Sequence, residues 1–293
     1  MKHGLPTGRR AAVRPSSGNR GTGLAGPLVA PPGERRPTGR FGGGRFLEWL
    51  PSLFVLLAVM GLWWLASHQQ WVSKVFLPTP EATLASLREG LADGALGEQT
   101  WQTVRRMVEG WLLACVAGVL LGALIGISAA ARAWLQPMLE FVRPLPASAI
   151  LPLAVAIFGL GPNMVLFVIA FGSMWPVLLA TLHGFASVDP RLREVAAALQ
   201  LGEGEFVRKV GLPNAMPDIL AGMRLSLTVS LIVAVVGEMI ASQPGLGQTI
   251  LLAARSFRAA DLFAGIVILG LVGFVANALL AGAERRLLRW QRP

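Results

Sequence analysis

The stretch WLLACVAGVLLGALIGI, residues 111–127, contains no charged side chain and decides the fold of the chain around it. About 20 predominantly apolar residues in a helix are enough to cross the hydrocarbon core of a bilayer. A helix on the surface of a soluble protein has one polar face, whereas this stretch is apolar on every side. Residues 107–129 are therefore predicted to form a transmembrane helix.

Five further apolar stretches lie on either side of this one. They cover residues 46–67, 145–160, 164–182, 221–240 and 262–281. Composition agrees with a membrane location, because charged residues make up 14% of the 293 residues, against roughly 25% in a typical soluble domain. The sequence predicts an all-α, polytopic membrane protein with six transmembrane helices.

The basic residues between the spans predict how the chain is oriented. Loops on the cytoplasmic side of a membrane protein carry an excess of Lys and Arg. With the N-terminus inside, cytoplasmic segments hold 20 of the 26 basic residues and outer segments hold six. We therefore expect a multi-pass protein of the cell (inner) membrane with both termini in the cytoplasm. The formal charge of +10 is explained by this topology, and nucleic acid is not an expected partner.

The segments outside the spans complete the expected organisation. Residues 1–45 are rich in Gly, Pro and Arg and are predicted to form a disordered, basic cytoplasmic tail. The first span (46–67) leads into an extracytoplasmic connection over residues 68–98, a main transmembrane domain over 99–282 and a cytoplasmic C-terminus over 283–293. Membrane lipid is an expected partner of the spans and of the basic tail.

Several enzyme signatures are missing from the sequence. None of the three lysines follows a glycine, so the phosphate-binding pattern G-x-x-x-x-G-K-[ST] does not occur. The three histidines are scattered and Cys115 is the single cysteine, which leaves no common metal-ligand spacing and no internal disulfide. We therefore predict no catalytic residue, no metal and no cofactor.

Polar and irregular positions inside the spans allow more than one interpretation. Glu238 is the one clear acid within a predicted span, and the sequence shows no evident partner for it. It lines a solute pathway, bonds a neighbouring helix or the backbone, or lies near the outer interface. The third span, with Pro144, Pro146 and Pro152, is either an irregular pathway wall or a kinked packing helix.

Small residues in the second span predict close helix packing. Gly118, Gly122 and Gly126 recur every four residues and therefore share one face of the helix. Such a series lets a second helix approach closely within a membrane. A structural role is expected for this face.

The loop between the fourth and fifth spans, residues 183–220, has a regular pattern. Residues 191–201 are predicted to form a short amphipathic helix that begins after Asp189-Pro190, and a second helical run over 203–210 precedes Pro213 and Pro217. The apolar positions of the first helix are Leu192, Val195, Ala196 and Leu199. Such a helix lies in the lipid interface or docks on a soluble partner, and its run of alanines favours docking.

The loop sequence EVAAALQLGEGEFVRKVGLP, residues 194–213, resembles the EAA motif of ABC-importer permease subunits. Val195 replaces the first alanine of that motif, and Gln200 stands where the family usually has glycine. Gly202 is expected to take over the bend at that point. The residues assigned to the loop by the resemblance are Glu194, Ala196, Ala197, Gly202, Leu212 and Pro213.

The resemblance continues along most of the chain and narrows the family to the sulfonate, taurine and nitrate permease branch. The matching segments are FLPTPEATLASL (76–87), FVRPLPASAILPLAVAIFGLGPN (141–163), LPNAMPDILAGMRLSL (212–227), VVGEMI (235–240) and ERRLLRW (284–290).

This resemblance implies a permease subunit of an ATP-driven ABC importer that forms the membrane pathway and is not itself an enzyme. The expected partners are a separate ATP-binding subunit, an extracytoplasmic solute-binding protein and a second permease, as in a homodimer. The loop helix would fit a cleft on the ATP-binding subunit, with Glu194 as its polar anchor. The implied solute is a small anion such as an aliphatic sulfonate, taurine or nitrate. Another small molecule, such as a thiamine-precursor pyrimidine, is the alternative, and an ATP-independent carrier or channel is the alternative from a different class.

Overall fold

The computed structural model describes residues 45–142 and 146–288. The predicted disordered tail lies outside these residues except for Arg45, as do Arg143, Pro144 and residues 289–293. Two units divide the chain, Met1–Ser52 and Leu53–Pro293. The described part of the first unit is the beginning of one helix, and all the contacts reported below lie within the second unit.

The described residues form helices and contain no β-strand. The elements are α1 (Arg45–His68), α2 (Pro80–Ala92), α3 (Ala95–Ile127), α4 (Ala129–Val142), a 3₁₀ turn (Ala147–Ile150), α5 (Leu151–Phe158), α6 (Pro162–Ala186), α7 (Pro190–Ala198), α8 (Glu203–Phe206), a π-helical turn (Val207–Gly211), α9 (Leu212–Ala241), α10 (Leu246–Arg255) and α11 (Ala259–Leu287). Among them α3, α6, α9 and α11 are long and apolar enough to cross a bilayer, and α1 contains the shorter apolar segment Leu53–His68. The second, fourth, fifth and sixth predicted spans are thus confirmed as long apolar helices.

Helices α3 and α6 pack side by side in the same direction along a stripe of glycines. Successive α3 glycines meet successive residues of α6, in the order Gly110 with Ile169, Gly118 with Val177, Gly122 with Thr181 and Gly126 with Phe185. A Cβ atom on Gly122 would lie 2.6 Å from the carbonyl oxygen of Leu178. The predicted packing role of these glycines is confirmed, because a larger residue would push the two helices apart.

Helix α9 packs against α6 in the opposite direction. Its first turns lie beside the last turns of α6, where Ala215 contacts Gly184, and its last turns lie beside the first turns of α6, where Gly237 contacts Val165. Midway along, the Ser226 hydroxyl donates to the carbonyl oxygen of Ser173 at 2.6 Å. Within the second unit, helix α6 therefore lies between α3 and α9, and its two ends define what we call the α7 end and the α10 end.

The third predicted span, residues 145–160, is not one of the long apolar helices. Because α3 and α6 run in the same direction, the chain must cross back from the α7 end to the α10 end between them. It does so in pieces, as α4, the 3₁₀ turn and α5, whose eight residues rise only about 12 Å. Pro152 has no N–H to donate, and Gly159 has a φ of 70° that ends α5. The irregular alternative is the one that the backbone adopts.

The α10 end is covered by α2, which lies within the predicted connection 68–98. The Ser86 hydroxyl donates to Oδ1 of Asp261 at 2.7 Å and ties α2 to α11. Trp63 of α1 donates its indole N–H to the carbonyl oxygen of Pro78 at 3.0 Å, and its ring stacks on Phe263 at 5.7 Å. These contacts place the end of α1 beside the beginning of α11.

Candidate functional site

The patterned loop forms a short helix, α7, that begins at a well-defined cap. The Asp189 carboxylate accepts a hydrogen bond from the Arg191 backbone N–H at 2.9 Å, and Pro190 occupies the first turn, where a missing N–H is tolerated. The helix ends at Ala198, three residues before the predicted end. The sequence signals for its start are confirmed.

The apolar residues of α7 do not all face the same way. Ala196 is 5% exposed and packs toward the protein, whereas Leu192, Val195 and Leu199 are 45%, 54% and 66% exposed. We call these three side chains the α7 ridge. Glu194 is exposed as well. The ridge is a small apolar surface at the α7 end of the molecule that no other described residue covers.

Arg193 holds α7 against the rest of the protein. Its Nη2 donates to the carbonyl oxygen of Phe185 at 3.2 Å, at the end of α6. The same guanidinium lies 5.6 Å from the centre of the Phe206 ring in α8, within range of a cation–π interaction. Sequence reasoning counted Arg193 only as a topological charge, because nothing in the local spacing shows which distant groups it meets.

The end of α7 is closed by Gln200 in a left-handed conformation. Its φ is +53°. The Gln200 N–H donates to the carbonyl oxygen of Ala197, and the Leu201 N–H donates to the carbonyl oxygen of Ala196, both at 3.0 Å. This pair of bonds is the Schellman helix ending, in which glycine is the favoured residue. The expectation that Gly202 takes over the bend is wrong, because Gly202 has a φ of −65°. Gln200 itself makes the bend.

The second helical run predicted over 203–210 is not a separate element. Helix α8 continues through the π-helical turn into α9, giving one helix over Glu203–Ala241 with 39 residues. Pro213 lies in the first turn of α9 and Pro217 lies inside it. The Leu212 N–H bonds the carbonyl oxygen of Val207, so the turn is widened just before Pro213. The assigned loop residues Leu212 and Pro213 therefore lie inside this long apolar helix, where its α9 segment begins.

Glu238 lies at the other end of α9 and has several partners, none of which was evident from the sequence alone. The carboxylate is 0% exposed. Its Oε1 accepts from Arg106 Nη1 at 2.8 Å, and its Oε2 accepts from the Thr103 hydroxyl at 2.9 Å and from the Gly247 N–H at 3.0 Å. The charge is thus paired and hydrogen-bonded, as a buried charge must be.

The same side chains fix the start of α10. The Thr103 hydroxyl accepts from the Leu246 N–H at 2.8 Å, and Arg106 Nη1 donates to the carbonyl oxygen of Pro244 at 2.6 Å. A carboxylate beside free N–H groups at a helix start is favourable. We call Glu238, Arg106, Thr103 and the Leu246–Gly247 backbone the Glu238 cluster. Of the interpretations left open by the sequence, this geometry supports bonding to neighbouring helices and backbone.

Two glycines make room for this cluster. Gly245 lies so close to the Glu238 carboxylate that any side chain would collide with it, and a Cβ on Gly247 would lie 3.1 Å from Oε2. Arg106 and these glycines were not identified from the sequence. Arg106 is separated from Glu238 by 132 positions, and no short-range pattern connects them.

Comparison with known proteins identifies the chain's relatives. Residues 116–289 match the family described as "Binding-protein-dependent transport system inner membrane component". The chain is 32% identical over 243 residues to the putative aliphatic sulfonates transport permease protein SsuC of Bacillus subtilis, covering 83% of this chain and 88% of that protein. It is 31% identical over 245 residues to the taurine transport system permease protein TauC of Escherichia coli, with coverages of 82% and 89%.

Solved structures agree with the fold. The inward-facing MetNI methionine ABC transporter matches with a TM-score of 0.58 at 18% identity, over 68% of this chain and 97% of that one. An amino acid ABC transporter matches with a TM-score of 0.55 at 18% identity, over 69% and 97%. The resemblance seen in the sequence is confirmed, and the chain belongs to the family of binding-protein-dependent transport system inner membrane components, the permease subunits of ABC importers.

Proposed function

We propose that this chain carries a small organic anion of the sulfonate or taurine type into the cell. The proposal is supported by its similarity to permeases named for aliphatic sulfonates and for taurine. A bicarbonate transport permease, CmpB of Synechococcus elongatus, is also similar, at 28% identity over 69% of this chain. The family implies an ATP-binding subunit and a solute-binding protein as partners. Pairing with a second copy of this chain is part of the proposal.

The α7 end faces the cytoplasm in this arrangement, and the solute-binding protein meets the α10 end. The support is the distribution of basic residues, 20 of 26 on the side of the α7 loop. Helix α11 runs from the α10 end toward that side as well, because Glu284, near its last turn, lines the same cavity as Arg224 in the first half of α9. Residues 99–282 form the transport domain, and the family match covers 116–289.

The single observation that carries the coupling mechanism is the exposed α7 ridge. An apolar ridge beside an exposed acid, on a helix clamped by Arg193 and closed by Gln200, is the form of a helix that docks in a groove on a soluble partner. In our proposal the ridge enters a cleft on the ATP-binding subunit and Glu194 is its polar anchor. Ala196 lets α7 lie close to the rest of this protein, and the exposed Ala197 permits close approach of the partner. The helix that begins near Gly202 and contains Leu212 and Pro213 transmits the movement.

A charge reversal in α7 tests this mechanism. We expect Glu194→Arg to lower ATP-driven uptake at least tenfold while ATP hydrolysis and membrane insertion persist, because a cation would replace the anchor without disturbing the buried side of α7. Glu203→Arg is the matched control, since Glu203 is an exposed acid of the same loop outside α7. Uptake and hydrolysis are measured together in liposomes that contain the complete transporter. Equal uptake by the two variants would remove Glu194 from the mechanism.

A further inference from the structure

A cavity of about 310 Å³ opens beside the middle of α6. It is lined by Phe171, Gly172, Trp175 and Pro176 of α6, by Ala147 of the 3₁₀ turn and by Leu225 of α9. Because the third crossing is broken next to this point, α5 leaves the middle of α6 partly uncovered. We call this space the α6 cavity.

Polar groups in the α6 cavity are unusual for the middle of a span. Pro176 has no N–H, so the carbonyl of Gly172, one turn earlier, lacks its regular helical partner. The Trp175 indole N–H donates to none of the side chains or carbonyls in the part of the chain that the structure describes. Backbone groups freed at membrane depth are tolerated where they are buried in protein or line a water-filled space.

A second cavity of about 530 Å³ provides the contrast. It lies between α3, α9 and α11, and its lining is formed by aliphatic and aromatic side chains such as Met107, Leu271 and Leu279. The indole N–H of Trp111, which also lines it, is already bonded to the carbonyl oxygen of Met223 at 3.0 Å. This space suits a lipid chain, whereas the α6 cavity offers hydrogen-bonding groups that require water or a solute.

A column of aromatic rings connects the α6 cavity to the α10 end. Phe167, Phe171 and Trp175 are spaced four residues apart and so share one face of α6. The column also includes Phe158 of α5. The distances between successive ring centres are 5.1 Å for Phe158–Phe167, 6.2 Å for Phe167–Phe171 and 5.6 Å for Phe171–Trp175. The column begins where solute would enter from the solute-binding protein and ends in the cavity.

The chemistry of the column and cavity discriminates between solutes. Among the described residues that line the α6 cavity, none is charged. Any anion, a sulfonate group included, would lose hydration beside these described residues without gaining a cation from them, which is costly. A bare inorganic oxyanion has no other group whose contacts could offset that loss. An organic group would gain contact with ring faces and edges, and its polar end would have the Trp175 N–H as a donor.

We propose that the α6 cavity, through Phe171 and Trp175, is the part of the pathway that recognises the organic group of the transported solute. The inference rests on the proposed function. It specifies that the solute is an organic molecule, such as an alkanesulfonate, and that nitrate and bicarbonate are excluded.

Thiol labelling tests the aqueous character of the cavity without requiring transport. Cys115 is the one cysteine of the chain, so Cys115→Ala gives a cysteine-free background. In lipid nanodiscs, Leu179→Cys, at a position that lines the α6 cavity, is expected to react at least tenfold faster with a charged methanethiosulfonate than Leu279→Cys in the apolar cavity. The reason is that a thiolate forms only where water reaches it. Equal rates would overturn the proposal.

Uptake by liposomes containing the complete transporter tests recognition, with butanesulfonate, taurine, nitrate and bicarbonate as probes. We expect Phe171→Leu and Trp175→Phe to lower the saturated rate of butanesulfonate uptake about tenfold relative to Phe274→Leu, a matched change at an exposed α11 residue. Nitrate and bicarbonate should enter at less than about a tenth of the butanesulfonate rate. Rates equal to that of Phe274→Leu, or efficient nitrate uptake, would overturn the proposal. A lack of ATP-dependent uptake of all four probes would instead refute the proposed function, and labelling would still decide whether the cavity is aqueous.

Discussion

Replacing Glu238 by glutamine removes one charge from a site where all the partners are donors. The carboxylate accepts from Arg106, from Thr103 and from the Gly247 N–H, whereas glutamine offers one acceptor oxygen and places an NH₂ group against the remaining donors. The Arg106 guanidinium, whose side chain is 12% exposed, would lose its counter-charge. Breaking a buried ion pair in this way costs about 3–5 kcal/mol, and we expect Glu238→Gln to lower the free energy of unfolding by that amount.

The assay is reversible unfolding in mixed detergent micelles, combined with hydrogen exchange at Leu246 and Gly247. Their amides donate to Thr103 and to Glu238, so both should lose protection in the variant. Glu109→Gln is the matched control, because Glu109 pairs with Arg105 at 2.8 Å on an exposed surface, where a salt bridge contributes about 0–1 kcal/mol. If Glu238→Gln lowers the free energy of unfolding no more than Glu109→Gln does, the Glu238 cluster does not hold α3, α9 and α10 together.

Two further predictions concern backbone geometry. Gln200→Gly should stabilise the end of α7 by about 1 kcal/mol, because a left-handed φ is unfavourable for a residue with a Cβ. Hydrogen exchange at the Leu201 amide should then be about fivefold slower. A similar gain from Gln200→Ala would contradict this explanation. Gly122→Val should lower the free energy of unfolding by about 1–3 kcal/mol, since its Cβ would meet the Leu178 carbonyl. Gly61→Val, at a position with no atom within 4 Å, is the control, and equal losses at both sites would show that helix propensity alone is responsible.

The long spans could be predicted from the sequence because transmembrane character is a local property. Residues 107–129 are apolar enough to indicate a membrane helix without any knowledge of their neighbours, and α3 does run through them to Ile127. The glycines at positions 118, 122 and 126 likewise report a packing face by spacing alone, although the sequence does not name α6 as the partner.

The third crossing and the Glu238 cluster could not be predicted in the same way. Apolar composition over 145–160 suggested a span, but proline and glycine limit α5 to Leu151–Phe158. The partner of Glu238 is set by how α3 and α9 pack, and that packing depends on contacts distributed over both helices. Gln200 shows a third kind of limit: a family pattern indicated where a glycine belongs, but not that glutamine would adopt the same backbone conformation.

The helix over Glu203–Ala241 is held at both of its ends. Phe206, near its start, lies under the Arg193 guanidinium, and Glu238, near its finish, is fixed by the Glu238 cluster. Each residue of an α-helix turns the chain by about 100°. Inserting or deleting one residue between Phe206 and Glu238 would therefore rotate one anchor away from its partners while the other stayed in place. The number of residues between these two anchors must therefore be preserved for both contacts to form, whichever side chains occupy the positions between them.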